Sequence, residues 1–198
     1  MTVAIVTDST ADLPGHLIKK WDISIVPLYV NFKRSDCGND VESLRDGFDI
    51  DANLFYEKLK SNENIPTTSQ PTVDDFLQQY RILCQDHEKI VSIHISSKLS
   101  GTINSALLAR AQLEDPQKVD IVDSNLVSMG LGLAVIAGAE AASAGLSVSD
   151  ILRKVHGSCS ETQIYFMVDT LEYLQKGGRI GKAQALLGTL LSVRPILS

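Results

Sequence analysis

Short apolar runs alternate with helix-like patterns along the first three quarters of the chain, and this rhythm constrains the fold more than any other feature. Strand-like runs occupy residues 3–6, 90–95 and 119–122. Between them, Val73, Phe76, Leu77 and Tyr80 fall at the i, i+3, i+4, i+7 spacing of an amphipathic helix. Strands that alternate with helices predict a parallel sheet covered on both faces. We therefore expect an α/β fold with a doubly wound parallel-sheet domain.

Further elements follow from local signals. Asp51 and Thr72 are placed to cap helices, and Asp75 follows Thr72 at the third helical position. We also predict helices at 13–21, 52–60, 103–113, 126–146, 149–157, 170–176 and 182–191, and strands at 23–30 (interrupted by Pro27), 163–168 and 193–197. The polar segment 32–49 is predicted to be a surface excursion.

The predicted domain boundary follows residue 157. Residues 1–157 form the doubly wound domain, and residues 158–198 are the beginning of a second, incomplete α/β domain. The predicted strand at 193–197 is an unusual place for a domain to stop, so we expect the sequence to be truncated. The clean apolar run 126–139 is too short to span a bilayer and suits a buried helix. The N-terminus lacks the basic region of a signal peptide, which favours a cytoplasmic location.

Composition excludes several functions. The 198 residues carry a net charge of −6, and the 18 Lys and Arg residues are scattered, so nucleic acid is not an expected partner. Cys37, Cys84 and Cys159 are far apart and suit small core residues. Neither they nor the four histidines have metal-ligand spacing, and we expect no metal and no cofactor. His94, between two isoleucines of a strand, is predicted to be a hydrogen-bonded structural residue.

Two hydroxyl-rich segments, PTTSQP (66–71) and SSKLSGT (96–102), are the main candidates for a binding site. Hydroxyls and free N–H groups near a helix start can bind an anion, although such residues often serve only as helix caps. No catalytic set is recognised beside them. Gly130 and Gly132 fail the dinucleotide pattern because Val135 stands where glycine is needed, and residues 176–182 fail the phosphate-loop spacing.

Five segments in the same order resemble the DegV family. They are IVTDSTADLP (5–14), IPTTSQP (65–71), ISSKLSGT (95–102), VDS (122–124) and LQKGGRI (174–180). DegV proteins are the fatty-acid-binding B subunits of bacterial fatty acid kinase, so the resemblance implies a bacterial, non-enzymatic lipid carrier for phospholipid synthesis. It implies a long-chain fatty acid in a tunnel between two α/β domains, presented to the catalytic subunit of the kinase. Peripheral membrane contact during lipid exchange would accompany that role.

The resemblance also assigns residues. It implies that Thr68 and Ser100 contact the fatty acid carboxylate, with Thr67 and Ser97 as neighbouring candidates. Gly101 would allow the backbone to approach the ligand closely. Arg179 is a candidate contact for the kinase subunit, or else a basic residue at a helix C-terminus.

Two alternatives remain. One is a phosphoryl-transfer or hydrolytic enzyme that uses the turn at Asp8 and Ser9, for which a strand-end turn is the simpler interpretation. The other is a regulatory binding domain without lipid, in which Thr68 and Ser100 only stabilise helix ends.

Overall fold

The computed structural model of the protein describes residues 2–33, 41–61, 65–186 and 195–198. These residues divide into two units, Met1–Glu161 and Thr162–Ser198. The elements of the first unit are β1 (Val3–Asp8), α1 (Gly15–Lys20), β2 (Ser24–Val26), β3 (Tyr29–Lys33), β4 (Val41–Arg45), α2 (Ala52–Ser61), β5 (Thr67–Ser69), α3 (Val73–Asp86), β6 (Lys89–His94), α4 (Thr102–Ala111), β7 (Val119–Asp123), α5 (Ser128–Ser143) and α6 (Val148–Glu161).

The main sheet of the first unit is parallel throughout the described strands, in the order β2-β1-β6-β7. Successive side chains of its central strands face opposite sides. Val6 and Ile90 pack in a cluster with residues of α3 and α4. Ile5 and Ile93 lie on the other face, where Gly138 of α5 brings them close to α6. The predicted doubly wound α/β fold is confirmed, and its core lies on both faces of this sheet.

A second, antiparallel sheet, in the order β4-β3-β5, corrects three predictions. The run 23–30 is not one strand, because the chain breaks around Pro27 into β2 and β3, which belong to different sheets. The predicted excursion 32–49 contains β4, and its residues 34–40 lie outside the described part of the chain. The predicted PTTSQP loop contains β5. Both β4 and β5 are edge strands. Exposed and half-buried residues alternate along β4, whereas β5 is polar and exposed throughout, and pairing with β3 is what makes both segments strands.

The predicted helix caps are confirmed. The N–H of Leu54 donates to the Asp51 carboxylate at 2.8 Å, at the start of α2. Thr72 and Asp75 form a capping box at the start of α3. The apolar face of α3 buries Phe76 and Tyr80 as its periodicity predicts. Cys84 packs on the same core, whereas Cys37 lies outside the described residues.

The second unit contains β8 (Phe166–Met167), α7 (Glu172–Lys176), a 3₁₀ segment (Gly181–Leu186) and β9 (Ile196–Leu197), which pairs antiparallel with β8. Helix α7 ends in a Schellman motif, with Gly178 at φ 73° and the N–H of Arg179 donating to the carbonyl of Leu174 at 3.0 Å. The predicted helix 182–191 is a 3₁₀ segment as far as it is described, and residues 187–191 lie outside. No described helix of either unit has the length and apolarity needed to cross a bilayer.

Candidate functional site

The carboxyl edge of the parallel sheet gathers the polar segments that follow β1, β6 and β7. Asp8, His94 and Asp123 are the last residues of these three strands. The segment after β7 is tied to the end of β6, because Ser124 Oγ donates to the His94 carbonyl at 2.7 Å. The N–H of Ser96 donates to the carbonyl of Leu126 at 2.9 Å. Parallel α/β sheets commonly bind ligands at this edge, which makes it the first candidate for a binding site in this fold.

Between β6 and α4, the chain uses its own groups to form a tight turn. Both Leu99 and Ser100 donate their N–H groups to the Ser96 carbonyl, at 2.9 and 3.1 Å. The backbone N–H of Ser105 donates to the Gly101 carbonyl at 3.1 Å. It is the first N–H of α4 that is bonded within the helix. The N–H groups of α4 before Ser105 belong to the first turn of the helix, where they have no partner within the helix and carry partial positive charge. This turn therefore brings Ser100 and Gly101 to an end of a helix that favours anions.

Ser100 has a defined partner inside this turn. Its Oγ lies 2.9 Å from Thr102 Oγ1. Thr102 is completely buried, whereas Ser100 is half-buried. The hydroxyl of Ser100 is thus held from the protein side, in a residue that keeps part of its surface exposed. Thr102 belongs to the SSKLSGT motif, but its place in the sequence alone assigned it no role.

The two hydroxyl-rich segments are joined by Gln70. Its side-chain amide lies against the α-carbon of Gly101, in the space that a β-carbon would occupy. Gln70 Nε2 also donates to Ser105 Oγ on α4 at 2.9 Å. The end of β5 is therefore fastened to the start of α4. Sequence reasoning missed Gln70, because its position shows only when distant segments are brought together.

Thr67 and Thr68 project to opposite faces of β5. Thr68 pairs with Val30 and Thr67 pairs with Asn31 in the antiparallel ladder. Asn31 also donates from Nδ2 to Ser69 Oγ at 3.2 Å, so Thr67 and Ser69 share one face. Successive residues of a strand point in opposite directions. A ligand on one side of β5 can contact the side chain of only one of the two threonines.

The backbone N–H of Ser97 points towards the carboxylate of Asp123. This N–H lies 3.3 Å from each carboxylate oxygen of Asp123. Asp123 also accepts from the N–H of Asn125 at 3.0 Å. A fixed carboxylate beside Ser97 repels a bound anion, so Ser97 is less suitable than Ser100 as a carboxylate ligand.

A buried polar chain lies beneath this edge. Asp8 Oδ2 lies 3.0 Å from His94 Nδ1 and accepts from the N–H of Ile95 at 3.0 Å. His94 Nε2 lies 2.6 Å from Ser92 Oγ, which lies 2.8 Å from the Tyr80 hydroxyl. The prediction that His94 is hydrogen-bonded is therefore confirmed.

The carboxyl group of Asp8 is kept ionised by its partners. Burial raises the pKa of Asp8, but hydrogen bonds and charge interactions with His94, with further hydrogen bonds from Thr10 and Ile95, bring the net pKa below its usual 3.8. Asp8 also caps the 3₁₀ turn Ser9–Ala11, as the simpler interpretation of this segment predicts. Ser9 Oγ accepts from the N–H of Leu28 at 3.1 Å. Asp8 has no exposed surface and Ser9 already has a partner, which disfavours this turn as a catalytic centre.

Arg179 lies in the second unit, immediately after the C-terminal motif of α7. Its Nη1 donates to the Gly177 carbonyl at 2.7 Å. The residue is exposed, and the basic Lys176 lies in the last turn of the preceding helix. Within the described ranges, no three His, Cys, Asp or Glu side chains are grouped so that they could hold a metal ion.

A doubly wound sheet with hydroxyl groups and a free helix terminus at its carboxyl edge defines an α/β protein suited to binding a small anion. The sequence profile of the DegV family, described as uncharacterised, matches residues 2–198. A DegV domain-containing protein from Deinococcus radiodurans is 39% identical over 197 residues, covering 100% of this chain and 67% of the relative. The chain belongs to the DegV family.

Solved structures of the family have the same fold. A DegV family protein from Thermus thermophilus, described as binding fatty acid, superposes with a TM-score of 0.89 at 38% identity, over 100% of this chain and 67% of that one. DegV from Bacillus subtilis, a fatty acid binding protein, superposes with a TM-score of 0.87 at 36% identity and the same coverage. This chain thus spans about two thirds of the length of these relatives.

Proposed function

We propose that the protein binds a long-chain fatty acid, with the carboxylate at the start of α4 and the acyl chain on apolar surface. The observation that carries this proposal is the junction of the two hydroxyl-rich segments by Gln70, in a chain similar to fatty-acid-binding DegV proteins. Ser100 and Thr68 are the proposed hydroxyl ligands. Gly101 would contribute its backbone at the start of α4, since the Gln70 amide takes the space beside its α-carbon. Thr67 and Ser97 are secondary candidates, because Thr67 projects from the opposite face of β5 to Thr68 and Ser97 lies beside the Asp123 carboxylate.

The local chemistry suits a carboxylate. A carboxylate that leaves water must be hydrogen-bonded, or its burial is strongly unfavourable. Hydrogen bonds to a charged group contribute roughly 1.5–3 kcal/mol each, and the helix terminus adds a favourable field. Hydroxyl and backbone N–H donors can hold a carboxylate headgroup with neutral groups alone. We infer that this neutral setting leaves the carboxylate open to a partner enzyme.

The acyl chain supplies most of the affinity in this proposal. Burial of a CH₂ group contributes about 0.8 kcal/mol, so a tail of about fourteen methylenes contributes roughly 11 kcal/mol before entropic costs. Helix α5 offers suitable surface, because Met129 and Leu133 are one turn apart on it and are 38% and 50% exposed. Both lie within the apolar run 126–139, and contact with an acyl chain would cover them.

The remaining steps of the proposal concern partners. The protein would act as a non-catalytic carrier in the cytoplasm, presenting its fatty acid to a fatty acid kinase, with Arg179 contacting the kinase. Transient membrane contact would allow lipid exchange. Residues 1–157 would form the lipid-binding domain, and residues 158–198 would belong to a second domain.

Mass spectrometry of lipid extracted from the purified chain, together with its native mass, tests the proposal. We expect about one fatty acid per chain, and a titration in which Ser100→Ala weakens fatty acid binding about tenfold with little loss of fold. Unchanged affinity of Ser100→Ala would remove Ser100 from the site. A native chain that carries no lipid and binds none in titration would refute the proposed function.

A further inference from the structure

The buried hydroxyl of Thr102 determines which way the hydroxyl of Ser100 can donate. Thr102 is completely buried, and among the described residues its hydroxyl has no hydrogen-bond partner other than Ser100 Oγ, at 2.9 Å. A buried O–H group without an acceptor is unfavourable, because it loses its bond to water without replacement. Ser100 is half-buried and can direct its proton outwards.

Two arrangements of this pair are possible, and they differ in free energy. If Ser100 donates to Thr102, the proton of Thr102 is left buried without an acceptor. If Thr102 donates to Ser100, both protons are satisfied, since that of Ser100 reaches water or a ligand. The second arrangement is favoured, and it leaves Ser100 facing outwards as a hydrogen-bond donor.

We propose that Thr102 is a positioning residue that fixes Ser100 as a donor and thereby selects an ionised carboxylate as the headgroup. This inference rests on the proposed function and specifies its ligand chemistry. A carboxylate accepts hydrogen bonds and donates none, so it matches a site of oriented donors. The bond from Thr102 polarises the Ser100 hydroxyl and strengthens its bond to a charged acceptor more than to a neutral one.

Headgroup discrimination tests the proposal. Hexadecanoic acid and hexadecanol share the same tail, so the ratio of their affinities reports the headgroup alone. We expect Thr102→Val to lower the affinity for the acid about 3- to 10-fold and that for the alcohol by a smaller factor, because valine keeps the shape and removes the donor. Thr102→Ser keeps the hydroxyl and should retain the native ratio. Equal loss for both ligands, or no loss for the acid, would overturn the inference.

A second measurement needs no ligand. Ser100→Ala removes the acceptor of the buried Thr102 hydroxyl, so adding Thr102→Val to Ser100→Ala should raise the midpoint of thermal unfolding. The same Thr102→Val change in the native background should not raise this midpoint. The difference between the two effects measures the coupling between Ser100 and Thr102. Should Thr102→Val fail to fold, Thr102→Ala replaces it, and the difference between its effects in the two backgrounds is then compared, because alanine also leaves a cavity in both. Additive changes in stability would refute the assigned direction of the hydrogen bond.

Thr7 offers a matched control. It is also a completely buried threonine, and its hydroxyl has no hydrogen-bond partner in the part of the chain that the structure describes. Thr7→Val should leave the ratio of acid to alcohol affinity unchanged and should not lower stability. If the native chain binds neither ligand, the proposed function fails, while the stability cycle still decides the orientation of the Thr102 hydroxyl.

Discussion

The side-chain amide of Gln70 occupies the space that a β-carbon on Gly101 would need. A larger residue at position 101 would therefore have to displace the end of this side chain, although the φ of Gly101, −76°, is accessible to any residue. Through this contact and the bond to Ser105, Gln70 holds the end of β5 against the start of α4. The distance between the two hydroxyl-rich segments depends on this junction.

Gly101→Ala should displace the Gln70 amide and break its hydrogen bond to Ser105. We expect fatty acid affinity to fall about 3- to 10-fold, which corresponds to the loss of one hydrogen bond that positions the site. Titration of the variant with a fatty acid measures this change. Gly157→Ala is the control, because Gly157 lies in α6 with open space around it, and alanine there should stabilise the helix by about 0.5–1 kcal/mol.

Removing the side-chain amide of Gln70 should allow alanine at position 101 without a clash. In a Gln70→Ala chain, Gly101→Ala has no side chain to displace, so its effect on affinity should be much smaller than in the native chain. Equal effects in the two backgrounds would mean that Gly101 acts without Gln70.

Sequence patterns predicted the parallel strands and the helices of the first unit because their signals are local. The face of α3 that carries Phe76 and Tyr80 is visible in a window of about twelve residues, and so is the cap at Thr72. Strands β4 and β5 carry no such signal. β4 mixes polar and apolar residues and β5 is entirely polar, so pairing with β3 is what defines both strands. Gln70 and Thr102 escaped assignment for the same reason, because their contacts exist only in the folded chain.

The bond between Asp8 and His94 should make stability depend on pH in acid. The folded pKa of Asp8 lies below its usual 3.8, so in acid the unfolded chain binds more protons than the native one. The stabilisation from this carboxylate is therefore complete above about pH 5, and it is lost as pH falls through the folded pKa. Urea unfolding of the native chain at a series of acidic pH values measures this loss.

The variant Asp8→Asn separates the effect of the Asp8 carboxylate on stability from the effects of the other carboxylates. At pH 7 we expect it to lower the free energy of unfolding by roughly 2–3 kcal/mol, since charge-assisted bonds to His94 and Ile95 are weakened. The difference from the native chain should shrink as the pH falls below about 4. Glu114→Gln, at an exposed carboxylate, serves as the control and should alter stability little. A difference between Asp8→Asn and the native chain that stays constant with pH would contradict the depressed pKa.

Arg179 should matter to the partner enzyme and not to the lipid. We expect Arg179→Ala to leave fatty acid affinity within about twofold of the native chain and to slow formation of acyl phosphate by a fatty acid kinase about tenfold or more, because a charged contact with the kinase is lost. Arg179→Lys should recover part of the rate by restoring the charge, although its hydrogen bonding differs. Lys182→Ala removes a nearby exposed charge and is the control for a general electrostatic effect. Equal rates for Arg179→Ala and the native chain would exclude Arg179 from the kinase interface, whereas equal slowing by Lys182→Ala would point to net charge as the cause.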